Sequence, residues 1–327
     1  MANLRDVRLR MRAISQTLKV TKAMNLISTS KLRKGRRVLE DTEPFFTRIQ
    51  KTMCDILEGA EAVESPFLKS GAGGVSGAPG TGGAAAVSGA AGGAVGGAAG
   101  GAVGGGIKRS AVLAVTSDKG LAGGYNANVF REVNSLCETL SHPLLILIGA
   151  IGYRYFVHSP HVILENFSFR SRLPGMEDVK EIADYIISQY LWGMFDEVYI
   201  VYTHMYSAVK LLPRRRQILP LDAGKLQEEI TRAGQEKRVE LRFEYLPSEE
   251  EVFDALAPLY IKGIIYGCLI ESYAAEQSAR MAAMDEASKS AEEMLGTLNI
   301  SYNRARQAGI TQEVTEIVGG SAALGTG

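Results

Sequence analysis

The stretch Leu4-Arg5-Asp6-Val7-Arg8-Leu9-Arg10-Met11-Arg12-Ala13-Ile14-Ser15-Gln16-Thr17-Leu18-Lys19-Val20-Thr21 decides the fold. Leu4, Val7, Met11, Ile14 and Leu18 recur at alternating spacings of three and four, and Thr21 continues the series. A helix with that spacing gathers its apolar side chains into one narrow seam, which is the mark of a coiled coil. Further along, the seam positions become Asn25, Ser28 and then Leu32. Polar seam residues weaken a permanent zipper, so this helix is expected to touch something besides one partner helix. Pro44 is the one proline between residues 4 and 61, and the whole stretch reads as helix.

The far end of the chain answers it. Pro258 is the last proline, and nothing after it forbids a single helix over residues 259–318, although Gly263, Gly267, Gly296 and Gly309 weaken it. Leu295, Leu298, Tyr302 and Ala305 again follow three-four-three spacing. Residues 274–291 are rich in Ala and Ser, small enough to let another helix approach closely. A helix of about sixty residues is roughly 90 Å long at 1.5 Å per residue, longer than a compact domain is wide. Charge favours antiparallel pairing of the two ends. Eleven Lys or Arg lie between Arg5 and Arg37 with Asp6 as the lone acid, whereas the C-terminal helix carries Glu271, Glu276, Asp285, Glu286, Glu292, Glu293, Glu313 and Glu316 against fewer bases. Each exposed pair contributes little.

Between the helices the period changes. Residues 110–116, 143–148, 161–169 and 197–203 read as strands, and residues 128–140 and 178–190 as helices. That alternation indicates a small α/β domain with a largely parallel sheet. A polar connection follows, and residues 239–246 read as an extended edge segment. Residues 70–106 have no charge and no aromatic ring and are almost all Gly, Ala, Val and Ser. Such a tract lacks the bulk to pack a core and reads as a flexible surface insertion. The expected organisation is an N-terminal coiled-coil helix (1–69), the insertion (70–106), an α/β domain (107–222), a connection and foot segment (223–258) and a C-terminal coiled-coil helix (259–327).

Composition narrows the function. Lys plus Arg and Asp plus Glu balance at 36 each, so nothing global points to nucleic acid or an acidic substrate. Cys54, Cys137 and Cys268 are scattered without metal-ligand spacing, which fits a reducing compartment. The N-terminus lacks a signal-peptide core, and the longest apolar run, residues 144–148, is too short for a bilayer. Membrane association is therefore expected only through a partner. Ser117-Asp118-Lys119-Gly120-Leu121-Ala122-Gly123-Gly124-Tyr125-Asn126 sits between a strand and a helix, where phosphate loops occur, but it lacks the G-x-x-x-x-G-K-[ST] spacing. A tight glycine turn joining strand to helix is the better reading. His158 and His161 are separated by Ser159-Pro160, which breaks any helix, so no metal site is expected there. The basic N-terminal helix lacks the interleaved aromatics of a nucleic-acid binder, and an acidic protein partner suits it better. No catalytic constellation stands out.

Three groups of motifs then carry a resemblance. Thr21-Lys22-Ala23-Met24 with Ser30-Lys31-Leu32-Arg33, and the turn at residues 117–126, resemble the γ subunits of F-type ATP synthases. The most specific match is the chain's end: Ala279-Arg280-Met281 through Met284-Asp285-Glu286-Ala287, then Tyr302-Asn303-Arg304-Ala305-Arg306-Gln307-Ala308 and residues 310–320. The resemblance implies an antiparallel coiled coil of the N- and C-terminal helices plus a small central α/β (Rossmann-like) domain. It implies a central-stalk rotor with no catalytic site, metal or cofactor of its own. The implied partners are an α3β3 hexamer of α and β subunits, the ε subunit and a membrane c-ring. No nucleic acid is among them, and the implied location is the cytoplasmic face of a bacterial membrane, held there through partners. By resemblance, Met24, Arg306, Gln307 and Thr311 face β subunits, while Phe243 and Tyr245 belong to the foot on the ring. Ala122 stands where many relatives carry Cys, and residues 70–106 are unlike the cysteine-bearing insertion of chloroplast relatives.

Overall fold

The computed structural model describes residues 4–59, 65–68, 108–169, 172–207, 210–222, 224, 226 and 245–324. The tract at 70–106 and most of the expected foot, including Phe243, lie outside the described residues.

Two long helices bracket the fold. Helix α1 spans Leu4–Gly59, 56 residues, and continues through Pro44. Every predicted seam position from Leu4 to Leu32 is buried or half-buried, while its neighbours on the other faces are mostly exposed. The C-terminal helix, α5, spans Glu249–Leu324, 76 residues, or roughly 110 Å at the usual rise. It begins ten residues before the expected start and carries Pro258 inside it. Ser248 opens it, its Oγ accepting from Glu251 N at 3.2 Å, and Glu249, Glu250 and Glu251 lend negative charge to the first turn. Proline does not end the helix because Phe253, Ala257, Ile261 and Ile265 are fully buried on one face. That packing holds the helix across one missing donor.

Between them run β1 (Arg109–Val115), α2 (Tyr125–Thr139), β2 (His142–Ile148), α3 (Ala150–Phe156), β3 (Val162–Phe167), α4 (Met176–Leu191), β4 (Glu197–Met205) and β5 (Leu211–Leu219). The sheet order is β3-β2-β1-β4-β5, parallel except for the antiparallel edge pair β4–β5. The expected polar connection after β4 is thus a strand, and the short α3 is an element beyond those expected. β1 is buried on both faces after its first residue, as a central parallel strand must be.

The two faces have different covers. Val112, Ala114, Leu145, Leu147 and Val201 pack under α2 and Phe156 of α3. The opposite face, with Leu113, Ile146, Ile148, Val198 and Ile200, packs against α4 and against the roots of both long helices through Ile49, Met53, Ile56, Phe253, Ile261 and Ile265. The lower half of α5 is apolar for this reason. An 18-residue window of it has mean hydropathy 1.4, enough by composition to cross a bilayer, yet 61% of that window is buried in the protein's own core. The two helices meet closely at Gly263, where an added Cβ would stand 2.2 Å from the Phe46 ring.

Candidate functional site

Above the sheet, α1 and α5 form an antiparallel shaft whose register is set by polar groups. Thr21 and Ser288 share a hydrogen bond of 2.8 Å at the centre of the seam. Asn25 Nδ2 donates to Met281 O at 3.3 Å, and Thr29 Oγ1 donates back to Asn25 O at 2.9 Å within its own helix. Lys22 pairs with Glu292 at 2.7 Å, on a surface more than half exposed, where such a pair contributes little. Nearest the tip, Arg8 Nη2 donates to Tyr302 OH at 2.6 Å and lies over the ring, 5.5 Å from its centre.

Because Arg8 faces Tyr302, α5 outruns the described part of α1. From Arg306 to Val318 every residue is exposed except Gly309. Arg306, Gln307 and Thr311 stand in this segment. Thr311 Oγ1 donates to Gln307 O at 2.9 Å, one turn back along the same face. Ile310, Val314, Ile317 and Val318 are more than half exposed beside them. Four large apolar residues in the open within nine positions mark a surface made to be covered. Met24 is half-buried at a lower level, flanked by exposed Leu26 and Ile27. It lies about twenty residues of helix, roughly 30 Å, from Arg306. The expected contact residues thus form two separate stations on one shaft. Tyr245 is at the opposite end, half-buried against the core where α5 is rooted; burial, then the charges of Asp55 and Glu249, push its phenol up.

The glycine turn belongs to neither station. Ser117 N donates to Asn126 Oδ1 at 3.1 Å and Asn126 Nδ2 donates to Ser117 Oγ at 2.8 Å, so the turn's polar groups satisfy one another. Ala122 is buried against Ala275 and Ala279, and Gly123, at φ +55°, lies beside Ala283. Here the small residues of α5 meet the body. A cavity of about 30 Å³ remains at the ends of β1 and β2, bounded by Thr116, Asp118, Tyr125 and Glu276. Small-molecule sites occupy roughly 300–1,000 Å³, so the space that holds nucleotides in other α/β folds is filled by α5.

Arg280 and Glu276, which periodicity did not single out, complete this junction. They pair at 2.7 Å with side chains 9% and 10% exposed, and Arg280 donates to Lys119 O and Gly120 O at 3.1 and 3.2 Å. Burial raises the Glu276 carboxyl more than the Arg280 charge lowers it. A Glu and an Arg one turn apart in an otherwise Ala- and Ser-rich stretch were the available signal.

A long two-helix shaft rooted in an α/β body, with little free volume at the strand ends and an exposed tip, defines a stalk protein. A family profile described as ATP synthase matches residues 3–324. The ATP synthase gamma chain of Ruminiclostridium cellulolyticum is 38% identical over 98% of this chain and 99% of the relative; that of Acetivibrio thermocellus is 34% identical over 99% and 100%. The fold is similar to chains in the Euglena gracilis mitochondrial ATP synthase (OSCP/F1/c-ring), with TM-score 0.61 at 14% identity over 98% of this chain and 94% of that one. It is also similar to a chain of the Tetrahymena thermophila central stalk and c-ring, with TM-score 0.53 at 20% identity over 82% and 99%. The chain belongs to the ATP synthase gamma-chain family. It is a central-stalk rotor subunit and contributes no catalytic site of its own.

Proposed function

We propose that this shaft carries rotation from an ion-driven ring in a bacterial membrane to the β-subunit catalytic sites of an α3β3 hexamer. In this reading the tip and the Met24 level turn inside the hexamer. The foot, including Phe243 and Tyr245, meets the c-ring and the ε subunit, and the protein sits on the cytoplasmic face through those partners. The observation that carries the reading is the uncovered segment at residues 306–318, where Arg306, Gln307 and Thr311 stand among exposed apolar side chains. Arg306 offers a planar fork of donors suited to a carboxylate, and Gln307 offers both a donor and an acceptor. Such contacts can favour one β conformation only by differing among the three β subunits. An asymmetric shaft with a partly polar seam meets that requirement.

Co-purification tests the reading. A tagged chain expressed in its own host brings down α and β subunits in a complex that hydrolyses ATP, whereas the isolated chain hydrolyses none. Recovery of the tagged chain free of α and β would overturn it.

A further inference from the structure

Most of the boundary between shaft and body is apolar. Phe253, Ile261, Ile265 and Leu269 of α5 are buried against α4 and the sheet. Apolar contact resists separation but is non-directional, so it opposes twist weakly. Directional ties from α5 to the body come from several levels of the helix. Lys262 pairs with Asp184 at 2.8 Å, Thr203 N donates to Ser272 Oγ at 2.9 Å, and Met205 N donates to Glu271 Oε1 at 3.2 Å. Arg280 is the uppermost. From Asp285 to Tyr302 the hydrogen bonds and ion pairs of α5 run to α1 or stay within α5.

The turn that Arg280 grips is held firmly. Lys119 O also accepts from Ser117 Oγ at 2.8 Å, and Asp118 Oδ1 accepts from Ser168 Oγ at 2.8 Å and Ala150 N at 3.2 Å. Leu121 stands in the left-handed region at φ +65°, an unfavourable conformation for a leucine, and its side chain is 63% exposed. That backbone reversal follows directly on the two carbonyls that Arg280 reads. A buried ion pair is weak evidence of stabilisation, and its directionality is the property left to explain.

We propose that Arg280, aligned by Glu276, is the positioning residue that locks the shaft to the α/β body against twist. It is the place where torque applied to the body enters the coiled coil. The proposal rests on the rotor reading. About two turns lower, beside Tyr273, α1 reaches the body through a softer contact, Arg36 Nη2 to Met205 Sδ at 3.6 Å. Separation of the Arg280 guanidinium from the turn therefore loosens the upper end of the shaft's seat, while the lower ties and the apolar boundary stay in place.

The test uses the assembled complex with the hexamer immobilised and a bead fixed to the α/β body, and it reads the variance of bead angle at rest. Arg280→Ala raises the variance. Arg280→Lys gives an intermediate value, because an ammonium keeps a charge opposite Glu276 but ends nearer the backbone than Nη2, the one atom that reaches both carbonyls and Glu276. Variance equal to wild type in Arg280→Lys overturns the clamp, even where Arg280→Ala fails to assemble. A lowered melting temperature with unchanged variance overturns it too, since a purely structural role predicts that result. An unmutated complex whose bead never rotates under ATP overturns the rotor reading itself, and the clamp with it.

Discussion

The hydroxyls of Thr21 and Ser288, each only 7% exposed, bond to one another across the middle of the seam. Each also has a carbonyl of its own helix within reach, Leu18 O for Thr21 and Met284 O for Ser288. Loss of one partner therefore strands nothing. A double-mutant cycle with Thr21→Val and Ser288→Ala, read by denaturant unfolding of the purified chain, gives a coupling of about 0.5–1.5 kcal/mol. Strict additivity would mean that the bond does not form in solution.

Gly263 and Gly267 lie one turn apart on α5 and predict opposite outcomes. A Cβ at Gly263 meets Phe46 at 2.2 Å, and that ring is already packed beside Tyr266. Gly263→Ala costs about 1–3 kcal/mol by overpacking. Nothing lies within 4 Å of a Cβ at Gly267, so Gly267→Ala is neutral or stabilises by up to about 1 kcal/mol through helix propensity. Thermal unfolding of the two variants side by side decides, and equal melting temperatures would contradict the packing.

Arg306→Ala with Gln307→Ala removes two exposed side chains, so stability changes by no more than about 0.5 kcal/mol. Steady-state ATP hydrolysis by complexes shown to contain the variant falls well below wild type, as does synthesis in membranes. Normal rates in both assays would return these residues to an ordinary solvated surface.

Glu276 predicts a pH dependence. Its carboxyl is raised above the ordinary 4.5, first by burial and then by the Asp118 charge, while Arg280 and Lys31 oppose the shift. A raised carboxyl contributes stability that is full below pH 4.5 and is lost as pH climbs through the folded value. Glu276→Gln cannot titrate. The stability of the variant relative to wild type therefore improves as pH rises across that window, measured by urea unfolding at a series of pH values. Parallel profiles would show that the folded and unfolded carboxyls titrate alike.

Deletion of residues 70–106 leaves assembly with α and β intact. The flanks are pinned at the same end of β4: Leu221 N donates to Phe67 O at 2.7 Å, and Lys108 pairs with Glu197 at 3.0 Å. Val198, beside Glu197, is paired with Leu219. A short link can therefore close the gap. Co-purification of the shortened chain without α and β would show that the tract is structural.

What could be read from residues alone depended on whether the signal was local. The seam from Leu4 to Leu32 and the buried strands write their burial into a period, and the structure follows them. β5 escaped because Arg214, Arg215 and Arg216 give an edge strand the look of a connector; Arg214 and Arg215 are exposed, and among the described residues no further strand covers them. The start of α5 escaped because Pro258 signals a boundary locally, while the packing that overrides it comes from other elements. The Glu276–Arg280 pair looks like a solvated one-turn repeat until the glycine turn, more than 150 residues earlier, closes over it. Arg306, Gln307 and Thr311 were legible only through resemblance, since exposed polar residues on a helix carry no period of their own.

Past Ala305 the described shaft is α5 alone, and its cross-section changes. Two helices with axes about 8–10 Å apart make an oblong rod, whereas a single helix is round and about 10–12 Å across. An oblong rod turning in a close housing pushes its walls apart in sequence, as a cam does. A round pin in the same housing spins without displacing anything. On the proposed rotor reading, the Met24 level therefore displaces its walls by shape, whereas the tip acts on its surroundings only through the unequal side chains it presents, Arg306, Gln307 and Thr311 among them.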